Sequence, residues 1–240
     1  MPMKRIAHEA GSVQASGALV WSDSAPSDAP LLLVAPNWLG VTDGAIAQGA
    51  KIAGDRFVVF VADMFGGGLT ATGPQDAAPL ADALRHDWQE RRRRISAAYQ
   101  AMLSAAAAEG FTSRRTAAIG FCFGGGNVLE LARAGTPAKA VISLHGDLGT
   151  HQVAAPGCIS ASLLILHGSA DPVAPKSQRD AFEAEMEAAG ATWSMLTFGG
   201  VLHSFAEEGP PVPGVAEFDP RAARLSFQLI EHFLDDAWTR

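Results

Sequence analysis

The sequence predicts a single three-layer α/β domain, residues 1–240, with a mainly parallel sheet. Three observations carry that prediction. Apolar β-type runs recur along the chain, they are continuous rather than alternating, and helical patterns stand between them. A strand that is apolar at every position is covered on both faces, as helices cover a parallel sheet. Regular strand–helix alternation is the signature of α/β folds. Hydrophobic residues make up 48% of the 240, enough for a core of this size and too many for a disordered chain.

Residues 4–22, with "SVQASGALVWS", read as a lead-in hairpin. "LLLVAP" (Leu31–Pro36) is the first buried strand, and a helix over Asp43–Gly54 follows, with Thr42 as N-cap and Gly54 as stop. "FVVFVAD" (Phe57–Asp63) is the next strand, and "MFGGGLTATGP" after it reads as a flexible loop. One long helix is expected over Leu84–Gly110, ending on its glycine. The later strands are "TAAIGF" (Thr116–Phe121), "AKAVISLHG" (Ala138–Gly146), "SLLILHG" (Ser162–Gly168) and "TWSMLTF" (Thr192–Phe198). Helices are expected over Gly125–Ala134, Lys176–Gly190 and Pro220–Trp238, and the Pro/Gly stretch at 209–214 reads as a loop inside the domain.

Several function classes drop out on composition. A net charge of −7 repels phosphate, so no nucleic-acid partner is expected. The "RRRR" run at 91–94 does not change this: on a helix four successive residues spread around the axis, and most are expected to face solvent. The seven histidines are scattered without an H-x-x-x-H pair, so no zinc site is expected. The triple glycines at 66–68 and 124–126 lack the Lys-Ser/Thr that completes a phosphate loop. No apolar run reaches the roughly 18 residues of a membrane span. "MPMKRIAHEA" has no apolar stretch after its basic residues, which reads as a cytoplasmic protein. A monomer or small homo-oligomer is expected. Two cysteines make no disulfide framework, and both are expected as free thiols, with Cys158 inert.

The chemistry concentrates at strand ends, where α/β sheets carry their sites. "AAIGFCFGGGN" (117–127) places Cys122 in G-x-C-x-G, the thiol version of a sharp strand-to-helix turn that exposes a nucleophile. "HGSADP" places Asp171 after the Ser162 strand, and "GGVLHSF" places His203 after the Thr192 strand. Nucleophile, acid and base then follow in the chain order of a Ser/Cys–Asp–His triad. The helix dipole behind Cys122 favours a thiolate, His203 shares its proton, and Asp171 orients the imidazole. The N–H of Phe123 is expected to face the developing oxyanion, with Trp38 N–H as second donor. Asn37, Phe205 and His145 are expected to line the substrate pocket. Phe65 and Trp88 are weaker candidates for its wall.

These segments resemble the dienelactone hydrolase family of the α/β-hydrolase superfamily. The resemblance runs from "LLLVAPNWLGVTD" through "FVVFVADMFG", "AAIGFCFGGGN", "AVISLHGDL" and "LLILHGSADPVAP" to "LHSFAEEG", nearly the whole chain. It implies an α/β-hydrolase fold with Cys122 as nucleophile, Asp171 as acid and His203 as base. It implies ester or lactone cleavage through an acyl-cysteine, with a small-molecule substrate and no metal or cofactor. Two positions depart from the family pattern. Members that act on dienelactone carry a glutamate where this chain has Asn37, and an arginine where it has Glu207. Their second carboxylate-binding arginine falls in the region of Arg85 and Arg91–Arg94. A carboxylate at 207 repels an anionic substrate, so a neutral ester or lactone is expected. Two other readings remain open on the sequence: a non-catalytic ligand-binding or regulatory protein on the same fold, and an acyltransferase.

Overall fold

A hairpin, a strand, a helix and a second strand open the chain in the computed structural model, which describes residues 1–239. They are β1 (Met3–Ala10), β2 (Val13–Val20), β3 (Leu31–Ala35), α1 (Asp43–Ala53) and β4 (Val58–Val61). The chain forms two compact units, residues 1–119 and a second that begins at Gly120. In the first, β1 pairs antiparallel with β2, β2 antiparallel with β4, and β4 parallel with β3. Every residue of β3 and β4 is buried, as their continuous apolar runs require. Thr42 caps α1 as expected, its Oγ1 accepting the Ala45 N–H at 3.1 Å.

The single long helix expected over Leu84–Gly110 is two helices, α2 (Pro74–His86) and α3 (Trp88–Ala108). Asp87 divides them. Its backbone (φ −101°, ψ 74°) is not helical, its N–H donates to Ala83 O, and its carboxylate accepts the Glu90 N–H at 3.0 Å. One residue thus closes α2 and caps α3. The start of α2 lies in the stretch read as loop, where Pro74 takes a first-turn position that suits its missing N–H.

The arginine run also differs from expectation. Arg91 is buried, Arg92 lies 4.9 Å from the Trp88 ring centroid, and only Arg93 is exposed. Glu90 organises the cluster. It accepts from Arg93 Nε and Arg94 Nε, both at 2.9 Å, and from the N–H and hydroxyl of Ser12 in the hairpin turn. Burial pushes its carboxyl up, but the Ser12 and arginine hydrogen bonds outweigh this and bring it down to about 2. Arg94 also donates to the carbonyls of Met64 and Phe65. The loop that follows is not slack: Asp63, fully buried, accepts the N–H groups of Phe65, Gly66, Gly68 and Ser16.

Strand β5 (Thr116–Phe121) carries the chain into the second unit. There follow α4 (Phe123–Arg133), β6 (Ala140–Leu144), β7 (Ser162–Gly168), α5 (Lys176–Ala189), β8 (Trp193–Phe198) and α6 (Pro220–Thr239). Strands β6, β7 and β8 are parallel neighbours, α4 packs on β6, and α6 packs on β6 and β7. Among the described residues, eight strands and six helices make an α/β fold with a mainly parallel sheet.

Helix α4 is buried along its whole length, and its last residue is a buried cation. Arg133 donates to Glu130, to both oxygens of Glu185 on α5, and to Leu148 O. Glu185 Oε1 also accepts the Ala154 N–H. Removing the cation takes the countercharge from two buried carboxylates. Arg133→Leu is expected to lower unfolding free energy in urea by about 3–5 kcal/mol. A loss under about 1 kcal/mol would show that the network carries no weight.

Candidate active site

The site is assembled at the ends of β5, β7 and β8, all within the second unit. Cys122 follows β5 directly, and α4 begins at the next residue. The turn demands glycine around it. A Cβ on Gly120 would sit 2.1 Å from Gly124 O, and one on Gly125 would sit 2.6 Å from Gly146 Cα. The helix can therefore start at once over the strand only because positions 120 and 125 carry no side chain. Cys122 itself adopts φ 53°, ψ −118°, and its N–H points at two acceptors, Leu144 O and His145 Nδ1, each at 3.1 Å.

His203 Nε2 lies 3.1 Å from Cys122 Sγ, and His203 Nδ1 lies 2.8 Å from Asp171 Oδ2. Asp171 is set by the turn after β7, where its Oδ1 accepts the N–H groups of Val173 and Ala174. The His203 backbone is held by the 212–217 strap: its N–H donates to Val215 O and its carbonyl accepts from Glu217 N, both at 3.0 Å. Gly168 lets these loops meet, since a Cβ there would sit 2.2 Å from Val201 O. Non-glycine residues with positive φ among those described are Cys122 (53°), His145 (39°) and Ser204 (55°). All three belong to this neighbourhood, and backbone strain of this kind gathers at functional sites.

The three buried histidines are driven apart electrostatically. Burial pushes the His203 ring down, but hydrogen bonds and charge from Asp171 and Cys122 outweigh it and lift the ring to about 10. Burial, reinforced by repulsion from His203 and His167, holds His145 well below its ordinary value. Burial also lowers His167, whose Nε2 lies 3.1 Å from Ala174 O. Burial raises the Asp171 carboxyl, yet the His203 hydrogen bond and charge bring it down on balance. The arrangement can hold a proton on the imidazole between a thiol sulfur and a carboxylate, which is what a nucleophile with its own acid–base requires.

The other residues expected at the site divide. Phe123 is the first residue of α4, so its N–H lies at the positive end of the helix dipole. His145 and Phe205, expected as pocket walls, have no accessible surface, and their rings pack edge to face at 5.1 Å between centroids. His145 also meets the His203 ring at 5.4 Å, so it backs the imidazole rather than facing a pocket. Glu207 Oε2 stands 4.0 Å from His145 Nε2. Asn37 and Trp38 belong to the first unit, in the turn after β3, where Asn37 Oδ1 accepts the Leu39 N–H at 2.9 Å. Of the arginines considered for an anion, Arg85 pairs with Asp82, and Arg93 and Arg94 pair with Glu90. Cys122 and Cys158 are free thiols, and Cys158 lies 3.4 Å from Arg133 O. The strap at 212–217 gave no sign in the sequence beyond its prolines and glycines. His167, 3.6 Å from Asp171 Oδ2, is readable only as the "HG" strand end that it shares with His145. Among the described residues no group of three or more His, Cys, Asp or Glu is arranged to hold a metal ion, and no helix is long and apolar enough to cross a membrane.

The raised His203 ring gives a signed pH prediction. A group whose folded value lies above its unfolded value of about 6.5 contributes stability fully below that pH and loses it as pH rises through about 10. The stability difference between wild type and His203→Asn, from urea unfolding, is expected to shrink between pH 7 and pH 10. A difference that is constant or grows over that window contradicts the assignment.

Comparison with known proteins gives the family of the chain. The dienelactone hydrolase family matches residues 16–237. Among solved structures, one named m3DLH superposes with a TM-score of 0.90 at 27% identity, covering 98% of each chain. A dienelactone hydrolase-like promiscuous phosphotriesterase from metagenomic libraries gives 0.89 at 27% identity, again over 98% of each chain. An α/β hydrolase enzyme from a Medee basin deep-sea metagenome library shares the fold, at 0.69 and 16% identity over 99% of each chain. No curated protein sequence matches the chain. A family match across residues 16–237 settles membership: the chain belongs to the dienelactone hydrolase family.

Proposed function

We propose that this protein hydrolyses small neutral carboxylic esters or lactones with Cys122 as nucleophile, His203 as acid–base and Asp171 as the carboxylate that orients it. The observation that carries the reading is the unbroken line from Cys122 Sγ to His203 Nε2 at 3.1 Å and from His203 Nδ1 to Asp171 Oδ2 at 2.8 Å. Membership of a hydrolase family supports the same reading. So does Cys122 at the N-terminus of α4, where the helix dipole favours an anionic sulfur.

In this mechanism the His203 imidazolium and the Cys122 thiolate form the reactive pair. The thiolate attacks the carbonyl carbon, a C–S bond forms, and the carbonyl electron pair moves onto oxygen. The Phe123 N–H at the helix N-terminus is the donor proposed for that oxyanion. Collapse expels the alcohol oxygen, which takes the proton from His203. The neutral imidazole then removes a proton from water, whose oxygen attacks the thioester; collapse breaks the C–S bond, releases the acid and restores the Cys122 thiolate beside the His203 imidazolium. Glu207, four residues beyond His203, disfavours anionic substrates by charge repulsion.

The test is turnover of a neutral aryl acetate by wild type, Cys122→Ala and His203→Ala. Each substitution is expected to lower kcat by about 1,000-fold or more. Turnover retained by Cys122→Ala would remove the thiol from the mechanism, and alkylation of Cys122 without any wild-type turnover would favour a ligand-binding protein. Products richer in a transferred acyl group than in free acid would favour an acyltransferase. A neutral aryl phosphotriester is the second probe, because one similar structure is a promiscuous phosphotriesterase.

A further inference from the structure

Beneath Cys122 lies a side chain that the hydrolytic mechanism does not use. His145 follows β6, is wholly buried, and holds a left-handed backbone at φ 39°. Histidine is among the few side chains that visit this region with any frequency, yet the conformation still costs free energy, so something must repay it. The His145 ring is fixed on three sides: by Phe205 at 5.1 Å, by His203 at 5.4 Å and by Phe121 at 6.2 Å between centroids. Its Nδ1 accepts the Cys122 N–H at 3.1 Å.

That bond dictates the tautomer. A nitrogen that accepts from a backbone N–H cannot itself carry hydrogen, so Nδ1 is bare and the ring hydrogen resides on Nε2. Nε2 is buried and makes no hydrogen bond of its own. The Glu207 carboxylate stands 4.0 Å from it, a negative charge on the side where this tautomer carries its N–H. Protonating the ring would put hydrogen on Nδ1, facing the Cys122 N–H and forcing the two apart. It would also set a second positive charge against the His203 ring. Burial and repulsion from His203 and His167 oppose that protonation and outweigh a hydrogen bond to the residue's own backbone, which favours it.

We infer that His145 is a positioning residue that holds the Cys122 turn in its reactive conformation through its bare Nδ1, with Glu207 selecting the Nε2–H tautomer. The inference rests on the reading of Cys122 as the nucleophile for its kinetic consequence, though not for the tautomer itself. It extends the assembly around Cys122 to a second histidine, one whose burial disfavours a proton.

Two measurements test it. Long-range 15N–1H correlation spectra of the wild type, with His145 assigned by substitution, are expected to show an unprotonated Nδ1 and a protonated Nε2 across the neutral range. The Nδ1–H tautomer or an imidazolium there overturns the inference. The second compares His145→Leu, which has no acceptor, with His145→Asn, whose Oδ1 falls near the place of Nδ1 and whose side chain tolerates φ 39°. A turn displaced by about 1 Å costs roughly 100-fold, so His145→Leu is expected to lose about that factor in kcat with KM little changed. His145→Asn should recover most of the loss.

Iodoacetamide alkylation of Cys122, followed against pH below the thermal transition, separates positioning from bulk stability. A positioning role shifts the profile in His145→Leu and restores it in His145→Asn, whereas a merely structural role lowers Tm and leaves the profile in place. Wild-type kcat in His145→Leu, or equal damage in the two variants, overturns the inference. If Cys122→Ala keeps its turnover, the nucleophile reading fails by itself, and the tautomer spectrum still decides the state of His145. Should His145→Leu not fold, the tautomer spectrum decides alone.

Discussion

A cysteine at φ 53° cannot hold its own backbone there, and the rest of the second unit is arranged to hold it. Two glycines let α4 begin immediately over β5 and approach the loop after β6. The Cys122 N–H is tied to Leu144 O and to His145 Nδ1, so the turn is fixed from the end of β6 as well as from β5. What this strain achieves is direction: the sulfur stands 3.1 Å from His203 Nε2, at the positive end of a buried helix.

Electrostatics divides the labour among groups that are chemically alike. Three histidines share one buried neighbourhood, and only the one bracketed by Cys122 and Asp171 gains rather than loses affinity for a proton. Burial acts on all three in the same direction, so the difference lies in partners, not in depth. Driving the titrations of like groups apart is how one site can keep an acid and a neutral scaffold side by side at a single pH. The Arg133–Glu185–Glu130 cluster plays a mechanical part at the other end of α4, tying the helix to α5 and to the Leu148 carbonyl.

The fold could be read from the sequence because its strands are apolar at successive positions, and β3, β4, β5 and β6 are indeed buried throughout. Cys122, Asp171 and His203 could be read because each lies at or within a few residues of the carboxyl end of a strand, β5, β7 and β8 in turn, where topology alone brings distant residues together. The break at Asp87 escaped because it uses neither glycine nor proline; a capping aspartate looks like any other polar residue inside an Ala- and Arg-rich stretch. The inward turn of the arginine run depends on Glu90 meeting Ser12 across 78 residues, a contact no local pattern announces. The expectation of a pocket wall rests on a strand end for His145 and on an aromatic ring near the site for Phe205. Their burial follows from ring packing that only the tertiary structure defines.

The proposed chemistry stands or falls on one covalent bond. Wild-type protein mixed with a slowly deacylating aryl ester, quenched in acid within the first turnover and digested, should yield the peptide containing Cys122 heavier by one acyl group. The same increment should be missing from Cys122→Ala and should vanish from the wild type once the ester is consumed. Turnover with no adduct at any time under these conditions, or an adduct on another residue that forms and decays at the rate of turnover, would contradict a cysteine-based mechanism.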